Sequence, residues 1–429
     1  MGDMPNDRVL IIVQNLPVPL DRRVWLECQA LRRAGYEVSV ICPQGPGDRR
    51  REVIDGVRLY KYRPAPEARG LAGYTREFAL SWLKTAALSV SAWRDGPFAV
   101  VQACNPPDTY WLLAAAWRRR GVRFVYDQHD LNPELFESRF GPPVTLRQRA
   151  EYAALRWLER RTYRRADHVI ATNESYRRIA LARGGKQAGD VTVVRSGPDT
   201  RSMRPVGPPP EVRALAPHVL VYLGIMGPQD GVDQLLRLMD ELVHRRGRRD
   251  LHLVLLGFGD CLEALKREAH ERGLDGCVTF TGRVGPDQIA DYLSTADLGL
   301  GPDLKTPLND VSTMNKTMEY MAYCLPSVSF DLTEVRVSAG DTGVYVPSGD
   351  IVAFADAVES LLGDPERRAT LGVAARSRAV DVLDWRPQSD AYVGVYDRLL
   401  NKVRTSGDVP HLSLAERRSA TETHQARSA

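Results

Sequence analysis

At 429 residues the chain exceeds the roughly 250–300 residues at which a single hydrophobic core stops growing, so two domains are expected. Hydrophobic residues at 43% and charged residues at 26% predict a folded globular protein, and a net charge of +4 gives no indication of nucleic acid. Six scattered cysteines without a Cys-x-x-Cys pair, no apolar run near the roughly 18 residues of a membrane span, and a short polar start at Met1–Asp7 argue against disulfide-framed, thiolate-metal, membrane-spanning and secreted readings.

Val9–Val13 is a continuous apolar run of buried parallel-strand type. After a proline-containing loop, the spacing predicts an amphipathic helix from about Val24 to Ala34, ended by Gly35, and a second strand at Glu37–Cys42. Strand, helix, glycine, strand is the crossover unit of a doubly wound sheet. The alternation continues through a strand at Ala99–Ala103, a helix at Thr109–Arg120, a strand at Arg123–Tyr126, a long helix near Thr145–Arg165, and strands at His168–Ala171 and Val191–Arg195.

Between Gly197 and Pro217 the prolines at 205, 208, 209, 210 and 217 mark a linker rather than an element. Val219–Leu223 restarts the pattern, followed by strands at Leu251–Leu256, Cys277–Phe280, Leu298–Leu300 and Ser327–Phe330. The fold class is therefore α/β: two doubly wound halves, 1–204 and 205–385, with a polar tail at 404–429 expected to be disordered. Ligands of such sheets bind beyond the carboxyl ends of the strands, so function is sought in the loops that follow them.

Three glycine loops stand in that position in the second half: Leu223–Asp233, Leu255–Asp260 with Gly257, and Phe280–Gly285. Glycine lets a backbone approach a phosphate, and a helix start offers free N–H groups. None is Gly-x-Gly-x-x-Gly or a P-loop, which weakens dehydrogenase and Walker-type ATPase readings. The fourth segment, Asp310–Ala322, opens a helix that Ser312 or Thr313 is expected to cap. Lys316 and Glu319 stand three apart on one face, read either as a solvated ion pair or as a phosphate-binding lysine with a ribose-binding carboxylate. In the first half, Asp127-Gln-His129-Asp130 places a histidine between aspartates just after a strand. Metal binding is not expected there, since no second histidine stands at ligand spacing.

Across about residues 8–402 the chain resembles the family-four retaining glycosyltransferases. The resemblance rests on the Asp-x-His-Asp-Leu-x-Pro-Glu loop, Val194-Arg-Ser-Gly-Pro-Asp199, Gly-x-Met-Gly-Pro-Gln-Asp-Gly and Lys-x-x-Glu-Tyr-Met-Ala. It implies the GT-B fold, two Rossmann-like domains facing across a cleft. The first domain would bind the acceptor, the second the nucleotide-sugar donor, and a terminal helix at 386–403 would pack back on the first. It further implies transfer with retention, without metal or other cofactor. His129, with Asp130 beside it, would line the donor sugar and stabilise developing positive charge. Lys316 and the backbone N–H groups of Gly227 and Ser312–Met314 would hold the diphosphate, with Thr313 and Asn315 in the same segment. Glu319 would hold the ribose, and the backbone at Arg283 and Val284 would read the base.

The pattern also departs from the family. Val311 stands where most members carry the first of two glutamates eight positions apart. Ile225 or Met226 and Asp230 stand near the places of the usual diphosphate-neutralising Arg and Lys, which makes Lys316 the replacement charge. This altered pattern is similar to a subgroup in which many members handle acetamido or other amino sugars.

Rival readings are a sugar-nucleotide 2-epimerase, a degenerate sugar-nucleotide-binding partner, and a specialised-metabolite transferase, even one with a thiol acceptor. The helix 147–165 carries seven arginines around Leu155, Trp157 and Leu158. It reads either as a solvated face in a chain with only seven lysines among its 58 basic residues, or as a weak peripheral contact with anionic membrane. A cytoplasmic location is expected. Nucleobase, sugar and oligomeric state stay open, as does the acceptor, whose pocket would lie around residues 14–24, 64–78 and 105–110.

Overall fold

The computed structural model describes residues 7–64, 71–207 and 209–402, without the side chains of 71–78 and 210. The tail 404–429 and part of the 64–78 loop lie outside the described residues. The chain divides into two compact units: 1–133 with 143–194 and 387 onward, and 134–142 with 195–386. Residues 195–204, expected with the first half, thus group with the second.

In the first unit the strands are β1 (Arg8–Ile12), β2 (Glu37–Pro43), β3 (Arg51–Ile54), β4 (Val57–Tyr62), β5 (Val100–Cys104), β6 (Arg123–Gln128), β7 (His168–Ala171) and β8 (Val191–Val193). They form one sheet in the order β3-β4-β2-β1-β5-β6-β7-β8, parallel except for the β3–β4 pair. The helices are α1 (Arg22–Arg33), α2 (Leu71–Arg94), α3 (Trp111–Arg118), α4 (Asn132–Phe140), which runs on into the second unit, α5 (Leu146–Arg165) and α6 (Glu174–Gly184). Every residue of β1, β5 and β7 is buried, which is why these strands read as unbroken apolar runs. Asp21 caps α1 by accepting from Val24 N at 3.1 Å.

The antiparallel β3–β4 hairpin and α2 are elements that periodicity did not predict. The hairpin turns on Asp55 and Gly56, with φ of 47° and 79°. Two consecutive left-handed residues are the chemistry of a two-residue hairpin turn, and Asp-Gly is its sequence signal.

The second unit contains β9 (His218–Leu223), β10 (Leu251–Leu256), β11 (Val278–Gly282), β12 (Leu298–Gly301), β13 (Ser327–Phe330) and β14 (Gly343–Val346), all parallel, in the order β11-β10-β9-β12-β13-β14. Alternate residues of β9 and β10 feed two cores. Leu220, Tyr222, Leu253 and Leu255 face one side, Val219, Val221, Val254 and Leu256 the other. Burying each such side chain contributes about 1.5–3 kcal/mol before entropy is subtracted. The helices are α7 (Pro210–Arg213), a single turn inside the expected linker, then α8 (Val232–Asp240), α9 (Leu262–Glu271), α10 (Pro286–Thr295), α11 (Asn315–Ala322), α12 (Thr333–Ala339), α13 (Ile351–Leu362) and α14 (Pro365–Asp381). In β12 a Cβ at Gly299 would come within 2.5 Å of the Tyr320 ring, so glycine there lets α11 lie close against the sheet.

The last helix, α15 (Trp385–Leu399), groups with the first unit from Pro387 onward, where Tyr392 and Tyr396 are fully buried. No helix among the described residues is long and apolar enough to cross a membrane.

Candidate functional site

Among its parallel strands each sheet reverses its order once, between β1 and β5 in the first unit and between β9 and β12 in the second. Loops diverge there and open a crevice beyond the strand ends. The candidate residues gather at these two places.

In the second unit the three glycine loops bond to one another. Gly224 N donates to Leu256 O at 3.0 Å, Met226 N to Phe258 O at 2.9 Å and Gly257 N to Gly282 O at 3.1 Å. Gly257 has φ of 148°, and a Cβ on it would overlap the Gly224 carbonyl. The Arg283 guanidinium lies 5.8 Å from the Phe258 ring centre. Asn309 ties the β9 loop to the β12 loop, donating to Gln229 O at 2.9 Å and Leu304 O at 3.0 Å.

One expectation is corrected here, and two residues expected at the diphosphate have partners within the chain. Met314 rather than Ser312 or Thr313 occupies the N-cap position of α11, without a side-chain cap, and Ser312 Oγ instead donates to Leu308 O at 2.8 Å. The Gly227 N–H, expected to face a diphosphate, donates to Asp230 Oδ2 at 2.9 Å. Lys316 turns to Asp303 at the end of β12, with Nζ 2.7 and 2.8 Å from its two oxygens and 5.2 Å from the Tyr222 ring centre. Asp303 was missed because nothing in local spacing links it to Lys316.

Lys316, Glu319 and Asp303 are all buried, and Asn315 opens α11 in front of them. Burial pushes the Asp230 carboxyl up to about 6, Lys316 opposing and Asp303 reinforcing the shift. The phosphate-facing charge assigned to Lys316 is therefore already matched by a carboxylate, with a second one beside it. Val284 and Arg283 lie at the end of β11, next to the glycine loops.

In the first unit His129 follows β6. Its Nε2 is 2.8 Å from Asp127 Oδ2 and 3.2 Å from Arg23 Nε. Arg23 Nη2 donates to Asp127 Oδ1 at 3.0 Å and its Nη1 to Val194 O at 2.9 Å. Burial pulls the imidazole down, but the Asp127 carboxylate outweighs it by charge and hydrogen bond and holds the ring up at about 9. Burial would raise Asp127 itself, yet Arg23 and His129 keep it well below the ordinary carboxylate range.

Asn105, buried beyond β5, pins the loop. Its Oδ1 accepts from His129 N at 2.7 Å and Asp130 N at 3.1 Å, and its Nδ2 donates to Asp130 O at 2.8 Å. Arg23, Gln102 and Asn105 were missed. They come from segments far apart in sequence that only the parallel pairing of β1, β5 and β6 brings together.

Cys104 Sγ, an Asp127 oxygen and a His129 nitrogen lie within 4.8 Å of one another, a spacing a metal would accept. The donor set does not suit one. Burial holds the Cys104 thiol far above its usual pKa, and Arg23 already neutralises Asp127.

Residues 20–197 match the glycosyl transferase 4-like domain, and residues 217–364 match the glycosyl transferases group 1 family. A GDP-mannose-dependent alpha-(1-6)-phosphatidylinositol monomannoside mannosyltransferase of Mycolicibacterium smegmatis is 33% identical over 39% of this chain and 44% of its own length. Alpha-D-kanosaminyltransferase of Streptomyces kanamyceticus is 30% identical over 42% of this chain and 45% of its own. The alignments thus span less than half of these relatives. The sucrose-phosphate synthase of Thermosynechococcus elongatus shares the fold, with a TM-score of 0.73 over 92% of this chain and 100% of that one at 19% identity. With two domain families matched in succession over most of its length and two Rossmann-like sheets of GT-B type, the chain belongs to the group 1 glycosyl transferases.

Proposed function

We propose that the protein transfers a hexose or amino sugar from a nucleoside-diphosphate sugar to a glycan, lipid-linked or small-molecule acceptor, with retention at the anomeric carbon. The observation that carries this reading is the set of three interlocked glycine loops at the strand ends of the second unit, beside the N-terminus of α11. Gly257 and Gly259, where an added Cβ would strike neighbouring backbone, next to a helix start without a side-chain cap, suit a diphosphate. Preorganised donors of that kind supply several kcal/mol of stabilisation as charge develops on the leaving group. In this reading Glu319 holds the ribose, Arg283 and Val284 border the base, and the His129 imidazolium faces the sugar. The donor phosphate takes the acceptor proton on the same face, without metal.

The amino-sugar option is supported by the kanosaminyl group in the name of one relative, and a lipid-linked acceptor by the phosphatidylinositol mannoside in the name of another. Weak contact of α5 with anionic membrane belongs to the same proposal. Its basic face includes Arg161, which lies 5.4 Å from the centre of the half-exposed Trp157 ring. Vesicle co-sedimentation unchanged by reversing the charges of α5 would remove that part.

The test of the whole is thermal shift with UDP-, GDP-, ADP- and TDP-sugars without metal, since a ligand of the folded state raises stability as RT ln(1 + [L]/Kd). A shift with one nucleotide series, lost in Glu319→Ala, is expected, with an axial or equatorial product linkage matching that of the donor. Absence of any shift would overturn this reading, and a shift without transfer to any acceptor would favour the degenerate-partner reading. The motivation for that second reading is the pairing of Lys316 with Asp303, with the Asp230 carboxyl close by.

A further inference from the structure

Residues 134–142 belong to the second unit, although they precede most of it in sequence by more than fifty positions. They include the last turns of α4, where Arg139 follows Ser138. Ser138 Oγ donates to Thr306 Oγ1 at 3.1 Å, and the same oxygen accepts from Asn309 N at 3.1 Å. Asn309 Nδ2 in turn donates to Gln229 O at 2.9 Å, beside Asp230 in the β9 loop. The β9 and β12 loops also meet directly, since a Cβ on Gly231 would strike the Pro302 carbonyl. The end of α4 is thus joined through three hydrogen bonds to the loop that carries Gly227 and Asp230.

From Gly224 to Gly231 that loop contains no lysine or arginine, and its one charged residue is Asp230. Two lysines of the neighbouring segments are already matched, Lys316 by Asp303 and Lys305 by Asp310 at 3.4 Å. Arg139 is exposed and makes no ion pair among the described residues. Burial raises the Asp230 carboxyl, and the cations that oppose the shift are Lys316 and Arg139. The charge of Arg139 is therefore felt at the β9 loop, as the hydrogen-bonded path from Ser138 requires. A guanidinium left without a carboxylate can grip a phosphate through two parallel N–H donors.

We propose that Arg139 is a donor-binding residue of the second unit, meeting the diphosphate at the Gly227–Asp230 loop and supplying the positive charge which that loop lacks. The inference rests on the proposed function in taking a nucleoside diphosphate as the ligand. It adds a residue from α4, far from the glycine loops in sequence, to the set that holds it. In the last turn of α4 a cation also complements the helix dipole, a structural role that leaves ligand affinity unchanged. The two roles are separable by experiment.

The test is calorimetric titration of the full chain with UDP, GDP, ADP and TDP, and with the matching monophosphates, without metal. The wild type is expected to bind one nucleoside diphosphate more tightly than its monophosphate. Arg139→Gln should weaken the diphosphate by about tenfold or more and the monophosphate by less, while Arg139→Lys restores part of the loss. Arg119→Gln, which removes another exposed charge without an ion pair, should bind as the wild type does. The same comparison in an Asp230→Asn background separates contact with the ligand from neutralisation of Asp230, and Arg139→Gln should weaken binding there too. Wild-type affinity in Arg139→Gln, with or without a lowered melting temperature, would overturn the proposal. A loss that vanishes in the Asp230→Asn background would overturn it as well. A wild type that binds no nucleoside diphosphate would strike the proposed function itself, and this inference with it.

Discussion

Removing Lys316 would leave the Asp303 carboxylate buried without a counter-charge, so Lys316→Ala is expected to cost about 3–5 kcal/mol of stability. The Asp303→Asn/Lys316→Met double variant should recover most of that loss in denaturant unfolding. If the double variant still binds nucleotide sugar, Lys316 serves Asp303 rather than the diphosphate. His129 carries a second residue-scale prediction. Its folded pKa of about 9 lies above the unfolded value of roughly 6.5, so its stabilisation is complete below pH 6.5 and is lost as pH rises through 9. Glu27, also raised, acts in the same direction. The denaturation midpoint should therefore fall between pH 7 and 10, corresponding to about 1–3 kcal/mol, and His129→Gln should flatten the decline. His129 was legible because aspartates flank it in the sequence. The partner of Lys316 was not, because helical spacing reveals only neighbours on the same helix.

At the scale of elements, the glycine loops combine what sequence can and cannot disclose. Their glycines were legible as unusual for simple turns, yet their mutual hydrogen bonds follow from the order of β11, β10 and β9 in the sheet. Gly257→Ala would add a Cβ at a φ of 148° and drive it into the Gly224 carbonyl. A loss of about 2 kcal/mol or more is expected, along with weakened nucleotide binding. Gly276, at an ordinary φ with nothing near its Cβ position, is the control, and Gly276→Ala should stay within about 0.5 kcal/mol by thermal melting. The β3–β4 hairpin was missed although Asp55-Gly56 announces it, because attention to strand–helix alternation passes over an antiparallel edge. Thr145→Ala, which breaks the capping box of α5, should cost about 1 kcal/mol.

For the molecule as a whole, the doubly wound plan was legible because fully buried parallel strands leave continuous apolar runs. The assignment of each segment to a unit was less so. Residues 134–142 and 195–204 go with the second unit through contacts that composition does not encode. Deleting residues 387–429 should strip Tyr392 and Tyr396 from the first unit, and hydrogen exchange should then show β1, β5 and β6 losing protection while β9 and β10 keep theirs. The same discontinuity bears on how the protein is made. During synthesis the segment 195–386 is complete while the first unit still lacks its closing helix. The half that begins the chain is therefore the last to finish folding, and until α15 emerges from the ribosome Gln102 lacks its tyrosine partners.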